Sequence, residues 1–354
     1  MNRLQDIAPD TRLPAQLTGP WSSAHVVRWC AAQQNWDRIH HDAEYARRVA
    51  GLAHPVINGA LKQNLMVRFL LDSFPHGAWV WQVDYTSLAP DFVGDALQLE
   101  GRIADVREEE GKLFASVELD VRNQNAARVT SSGRAVIVAA LDGSVIADAS
   151  GLAENLCPVP LENEPQDARP LEGVPARIAE CVGRQLEHIR SCVPVDLGRL
   201  RLFADAVGGL SPMHYDQRAG LASVYRSVVA PPWFPTHALS MPPGEKELSS
   251  EPTAMGREAV CEVGRDMASL FGMPPEGLRS AGNRARFHSL ARLGETVEAT
   301  SRLASVERLA AEDGRATLLF RTHNEYRTTT GRPLLSEVTS FACRLGTCNQ
   351  KGKP

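Results

Sequence analysis

Gly94-Asp-Ala-Leu-Gln-Leu-Glu-Gly-Arg-Ile-Ala-Asp-Val106 returns later in the chain as Gly294-Glu-Thr-Val-Glu-Ala-Thr-Ser-Arg-Leu-Ala-Ser-Val306, at an offset of 200 residues. Each copy opens on glycine and a carboxylate, alternates apolar with polar positions, and leads to a charged turn that ends in glycine, at Gly111 and Gly314. Period-two alternation marks a half-buried strand, and self-similarity at a fixed offset marks a duplicated structural unit. Upstream, Met213-His214-Tyr215-Asp216 echoes Ile39-His40-His41-Asp42 at an offset of 174. The two offsets differ by 26, so the second copy carries extra residues, which the loop-like composition of Pro242 to Gly256 places there. Two units of one fold on one chain are expected to pack as an intramolecular pseudo-dimer.

Working outward from the first copy, the strands continue in both directions. Trp79, Trp81 and Val83 predict one face of a strand, Leu97, Leu99 and Ile103 another, and Leu113, Ala115, Val117, Leu119 and Val121 a third. Glu109-Glu110-Gly111-Lys112 and Ser131-Ser132-Gly133-Arg134 read as turns, and Ala135 to Leu141 as an unbroken apolar strand. Ahead of the strands the texture is helical. Ser22 and Ser23 offer an N-cap for Ala24 to Ala32, Asp42 to Val49 reads as a short helix, and Ala60 to Leu71 is apolar on almost every side, as a buried helix is. Residues 1–20 read as a lead-in, 21–150 as a first unit, 151–176 as a proline- and acid-rich linker, 177–345 as a second unit and 346–354 as a tail.

At 354 residues the chain can bury two cores. A net charge of −4 without a basic block argues against nucleic acid as a partner. The seven cysteines form no CxxC pair, which points to reduced thiols in a cytoplasmic protein. No apolar run reaches the roughly 20 residues that span a bilayer, and the first twenty residues have the pattern of neither a signal nor a transit peptide.

Proton-handling side chains crowd Asn35-Trp-Asp-Arg-Ile-His-His-Asp42, and a helix start follows at His54-Pro-Val-Ile-Asn-Gly59. Asn58 is a good N-cap type, and Gly59 places an unobstructed amide at the positive end of a helix dipole, where negative charge is stabilised. A substrate carbonyl can approach a residue without a Cβ closely. His40 is the residue able to act as acid or base near neutral pH. A histidine beside acids is ordinarily a surface group, and Asn58-Gly59 alone is a hairpin signal; the helical sequence that follows and the duplication favour a site. His41-Asp42 has no second ligand cluster at metal spacing, so no metal is expected. In the second unit Gly209 and Ser211 stand where Asn35 and Asp37 stand in the first, and Pro231, Pro232 and Pro235 crowd the segment where free helix amides belong. That unit is expected to make room for an acyl chain rather than to catalyse.

These residues resemble the MaoC-like hydratases and dehydratases. Their motif is Asp, then x-Asn-Pro-x-His, a short helix, and His-Gly opening the central helix; Asn35, Asp37, Arg38, His40, Asn58 and Gly59 occupy those places here. The second unit looks like the FAS1-type dehydratase domain through Val229-Ala-Pro-Pro-Trp-Phe-Pro235 and Arg286-Phe287-His288 leading to Gly294-Glu295. The resemblance implies an α+β double hotdog, two antiparallel sheets each wrapped around a central helix. It implies an enoyl-thioester hydratase or 3-hydroxyacyl-thioester dehydratase of the mesaconyl-type branch, working without a cofactor on an acyl-CoA or acyl-carrier-protein thioester. His40 is then the acid/base, Asp37 orients it or shares the water, Asn35 positions, and the Gly59 N–H polarises the carbonyl. Trp36, Arg38, Arg47, Asn58 and Lys62 are the expected substrate contacts. A hotdog acyl-CoA thioesterase and a non-catalytic acyl-thioester-binding protein are the alternatives, and a homodimer of whole chains is left open.

Overall fold

The structure, a computed structural model, describes residues 6–152, 174–240, 278–310 and 316–344. The extra residues expected within 242–256, most of the linker, the Gly314 turn and the tail from 346 lie outside them, as does any central helix of the second unit over 241–277.

Ten antiparallel strands form one sheet. In chain order they are β1 (Arg12–Thr18), β2 (Trp79–Ser87), β3 (Leu97–Glu109), β4 (Lys112–Asn123), β5 (Arg128–Ala140), β6 (Gln185–Arg190), β7 (Leu278–Phe287), β8 (Val297–Ala310), β9 (Ala316–Thr328) and β10 (Pro333–Arg344). The spatial order β1-β3-β4-β5-β2-β7-β10-β9-β8-β6 reads as one five-stranded half followed by its reverse. The halves meet where β2 pairs with β7, and there Asp84 lies opposite Arg284, its own counterpart at the 200-residue offset. The pseudo-dyad therefore passes through an ion pair of 3.0 Å. Two identical chains would oppose like charges at that point, which costs stability in a sheet; a single chain with two diverged halves avoids it.

Two expectations are corrected. Arg12–Thr18, read as part of a loose lead-in, is an edge strand paired with β3. Ser131-Ser132-Gly133-Arg134, read as a turn, lies inside β5; the chain reverses at residues 124–127 instead, with Ala127 at a φ of 51°. Gly133 is required by packing, because a Cβ there would sit 2.2 Å from the Asp84 carbonyl oxygen on β2. Trp79, Trp81 and Val83 are buried as expected, but so are Val80 and Gln82, since β2 is interior to the sheet and bulges between Val80 and Gln82.

Among the described residues the α-helices are α1 (Ser23–Gln33), α2 (Ala43–Arg48), α3 (Gly59–Ser73), α4 (Ala176–Ala179), α5 (Leu197–Val207) and α6 (Gln217–Ala222). α3 is the buried helix: Leu61, Leu65, Met66, Phe69 and Leu70 are all about 1% exposed or less. It packs against β1, β2 and β3, and a Cβ on Gly101 would come within 3.0 Å of the Phe69 ring. Its far side meets the second half, where Arg68 donates to the carbonyls of Val207 and Gly208. α1 and α5, counterparts at the 174-residue offset, touch across the same dyad with Trp29 5.4 Å from Phe203.

The polar residues of α3 are buried by design of the network around them. Lys62 (2% exposed side chain) pairs with Asp91 (0%) at 2.8 Å. Asp91 also accepts from Asn123 Nδ2 and Thr130 Oγ1, and its carbonyl accepts from the Ile57 amide at 2.8 Å. One aspartate thus ties the first turn of α3, the ends of β4 and β5, and the segment entering the helix. Isolated, either charge would be costly to bury; together, with the lone pairs hydrogen-bonded, they fix where the helix begins.

Candidate active site

The segment from 34 to 42 is shaped by short side chains that bond their own backbone. α1 ends at Gln34 in the left-handed region, φ 56°, and the Asn35 amide donates to the Cys30 carbonyl at 2.9 Å. Asn35 Oδ1 then accepts from the Asp37 amide, and Asp37 Oδ1 accepts from the Ile39 amide, which starts a 3₁₀ turn over Arg38–His40. Asp42 caps α2 by accepting from the amides of Glu44 and Tyr45. Those bonds and the Arg38 guanidinium, 2.7 Å away, hold its carboxyl below the usual carboxylate range.

Two hydrogen bonds clamp this turn onto the segment that enters α3. The Val56 amide donates to the Ile39 carbonyl at 2.9 Å, and His40 Nδ1 lies 2.8 Å from the Val56 carbonyl oxygen. A carbonyl can only accept, so Nδ1 carries the proton, and in the neutral ring Nε2 is the basic nitrogen. Three residues beyond Val56 the helix begins at Gly59, whose amide has no carbonyl partner within the helix. Gly59 is not in the left-handed region. A Cβ built on it would meet a single atom, Tyr85 Oη, at an ordinary contact distance of 3.6 Å. Neither backbone conformation nor packing demands glycine here.

Asn58 occupies the N-cap position, but its side chain does not cap the helix. Its oxygen faces the buried Cys30 thiol at 3.9 Å, and its buried Nδ2 has no partner among the described residues. Burial pushes the Cys30 thiol up to about 12, so it stays protonated and is no nucleophile.

The family described as "Hydroxyacyl-thioester dehydratase type 2" matches residues 5–93, and the "FAS1-like, dehydratase domain region" matches residues 180–337. Dehydratase-family models thus match both halves of the chain. Similar solved structures include a putative MaoC domain protein dehydratase from Chloroflexus aurantiacus, 10% identical with a TM-score of 0.66 over 98% of each chain. Another, a MaoC-like dehydratase, is 14% identical with a TM-score of 0.59 and covers 96% of this chain and 99% of that one. A conserved hypothetical protein from Mycobacterium tuberculosis with a double hotdog fold is 14% identical with a TM-score of 0.58, covering 96% and 98%. At such identities the likeness shows the fold, and the fold of this chain is the double hotdog. The comparison with curated proteins finds no match. The two family-model matches support a dehydratase or hydratase function.

Among the residues expected to contact substrate, Lys62 must be withdrawn: it is buried against Asp91 and cannot meet a phosphate. Arg38 is engaged by Asp42 and lies over the Tyr45 ring at 4.5 Å. Arg47 stands on the exposed side of α2, bonded to the Ala43 carbonyl. Trp36 is half-buried with its ring edge-on to His41. Tyr85, buried on β2 beside Gly59, was not singled out, because alternation alone reads it as one more strand residue. Among the described residues no group of three His, Cys, Asp or Glu could hold a metal, and no helix is long and apolar enough to cross a membrane.

The second half repeats the clamp but not the residues around it. His214 sits in a 3₁₀ turn, Pro212–His214, with Nδ1 2.8 Å from the Val229 carbonyl. Gly209 and Ser211 fall where Asn35 and Asp37 fall in the first half, and Asp216 is spent capping α6. After Pro231 and Pro232 the chain makes a 3₁₀ turn, Phe234–His237, in place of an α-helical start. His214 is 1% exposed, and burial pushes its imidazole down to about 4. The unfolded chain binds the proton more readily, so stability is full above pH 6.5 and falls as pH drops toward 4, by an amount on the order of 3 kcal/mol. Urea midpoints at pH 7 and pH 4.5 should show this loss in the wild type and a smaller one in His214→Gln.

Proposed function

We propose that this chain adds water reversibly to a 2-enoyl thioester, or removes it from the 3-hydroxyacyl thioester, at His40 and Gly59. In the hydration direction His40 Nε2 takes a proton from water as the oxygen bonds to C3 of the enoyl group. The electron pair of the double bond moves toward the thioester, and the resulting enolate oxygen is stabilised by the Gly59 N–H at the positive end of α3. The imidazolium then returns the proton to C2, which restores the base; water has been divided between C3 and C2. Asn35 and Asp37 hold the turn that carries His40. Trp36, Arg38 and Asn58 remain the proposed flanking contacts to an acyl-CoA or acyl-carrier-protein substrate, with Arg47 on the outer rim.

The observation that carries this reading is the glycine. Position 59 has room for a side chain and a backbone that accepts one, and it lies three residues from the carbonyl that aims the histidine. An obligatory approach by a ligand explains a bare amide there. Gly59→Ala should therefore leave the thermal midpoint unchanged or raised, alanine being the better helix residue. Its methyl would occupy the approach to the amide, and kcat/KM should fall about 100-fold, as for loss of an oxyanion donor. Loss of enoyl-thioester absorbance, followed across short, branched, dicarboxylic, aromatic and steroid-like enoyl-CoAs, tests the reading. Consumption of the double bond without thiol release supports it; thiol release alone would make the chain a thioesterase, and tight binding without turnover would make it a binding protein.

A further inference from the structure

Tyr85 and Ser131 are buried, at 2% and 0% exposed, and their hydroxyls lie 3.1 Å apart. Tyr85 Oη is also the atom nearest the point where a Cβ on Gly59 would stand, 3.6 Å away. Two hydroxyls carry two protons, and the bond between them uses one. Among the described residues neither oxygen has a further partner. One O–H donor is thus left over, in a place where donors are ordinarily matched.

We infer that the Tyr85 hydroxyl is a second donor to the thioester oxygen, beside the Gly59 amide. This rests on the hydratase reading above. Ser131 then donates to Tyr85 Oη, which spends the serine proton and turns the tyrosine proton toward the ligand. An enolate oxygen has lone pairs for both donors. The phenol is fixed before any ligand arrives, because Tyr85 is paired on one side with Gly133 and on the other with Asn283 across the dyad. The missing Cβ of Gly133 lets β5 close on β2, and Ser131 follows two residues away on the same face. A donor held this way needs no reorganisation as charge develops. The other half agrees: at the matching positions it has Ala285 and Leu335, so the half without the Asn35 and Asp37 side chains also lacks the hydroxyl pair.

The test uses the full chain with crotonyl-CoA. Tyr85→Phe should lower kcat roughly 100-fold with KM changed by less than about threefold, since the donor acts mainly on developing charge. A merely structural tyrosine would not move the second readout. In a His40→Ala background, crotonyl-CoA labelled at the thioester carbon binds without turnover, and its infrared carbonyl band should lie below the free value. Adding Tyr85→Phe should move that band back toward the free position. If Tyr85→Phe does not fold, 3,5-difluorotyrosine at position 85, a stronger donor of similar size, should move the band further from it. A rate within threefold of wild type, or a band unmoved by either change, overturns the inference. If the wild type hydrates crotonyl-CoA and His40→Ala does not, such a result removes the tyrosine's role and leaves the hydratase reading standing. If the wild type hydrates none of the enoyl-CoAs, the reading itself has failed.

Discussion

His40→Ala should lower the rate of enoyl-thioester hydration by about 10²–10⁴-fold while the chain stays folded. The size of the loss follows from the role, because without an imidazole nothing at this position can take a proton from water and return it to C2. The fold should survive because other groups hold the turn that carries the ring. The bond from Nδ1 to the Val56 carbonyl contributes about 1 kcal/mol. The turn beneath it is held by backbone and by Asn35, Asp37 and Asp42. Circular dichroism and the thermal midpoint of the variant should match the wild type within a few degrees. Wild-type rates in His40→Ala would remove the histidine from the chemistry.

The second large effect is on stability. Lys62→Met leaves Asp91 fully buried, with its cation gone and only neutral donors from Asn123 and Thr130. Breaking a buried pair by removing one partner costs about 3–5 kcal/mol, mostly the desolvation of the charge left behind. Because Asp91 also receives the Ile57 amide two residues before Gly59, the start of α3 should loosen and activity should fall with stability. The double variant Lys62→Met with Asp91→Leu should recover most of the lost stability, since no charge then remains unpaired. Urea midpoints of the single and double variants measure both statements; a double variant no more stable than the single would show that shape, not charge, sets the cost.

The sequence was legible where one local pattern decides. α1 and α2 follow from their caps, α3 from its apolar run, β3 and β8 from alternation, and the pairing of halves from the repeat of Gly94–Val106 at Gly294–Val306. It misled where a distant partner decides. Arg12–Thr18 holds a proline and little alternation, and becomes a strand because β3 offers it an edge. Ser131–Arg134 has the composition of a turn, but Gly133 is there so that β2 can approach. Lys62 has the chemistry of a surface cation until Asp91, 29 residues on, neutralises it in the core. Tyr85 looks like any strand residue until β5 brings a serine to it and α3 brings an amide. His40 and Gly59 stand out in the sequence because each is a special residue type at a special local position: a histidine in the Arg38–His40 turn, and a glycine opening a helix.

The most direct measurement follows the oxygen of water. Wild-type chain, a 2-enoyl-CoA and water enriched in heavy oxygen should give a 3-hydroxyacyl-CoA that carries the label on its new hydroxyl, with the thioester intact by mass spectrometry. His40→Ala and Gly59→Ala should form that product far more slowly. Label found in a free carboxylate, with coenzyme A thiol released and the double bond retained, would contradict the account.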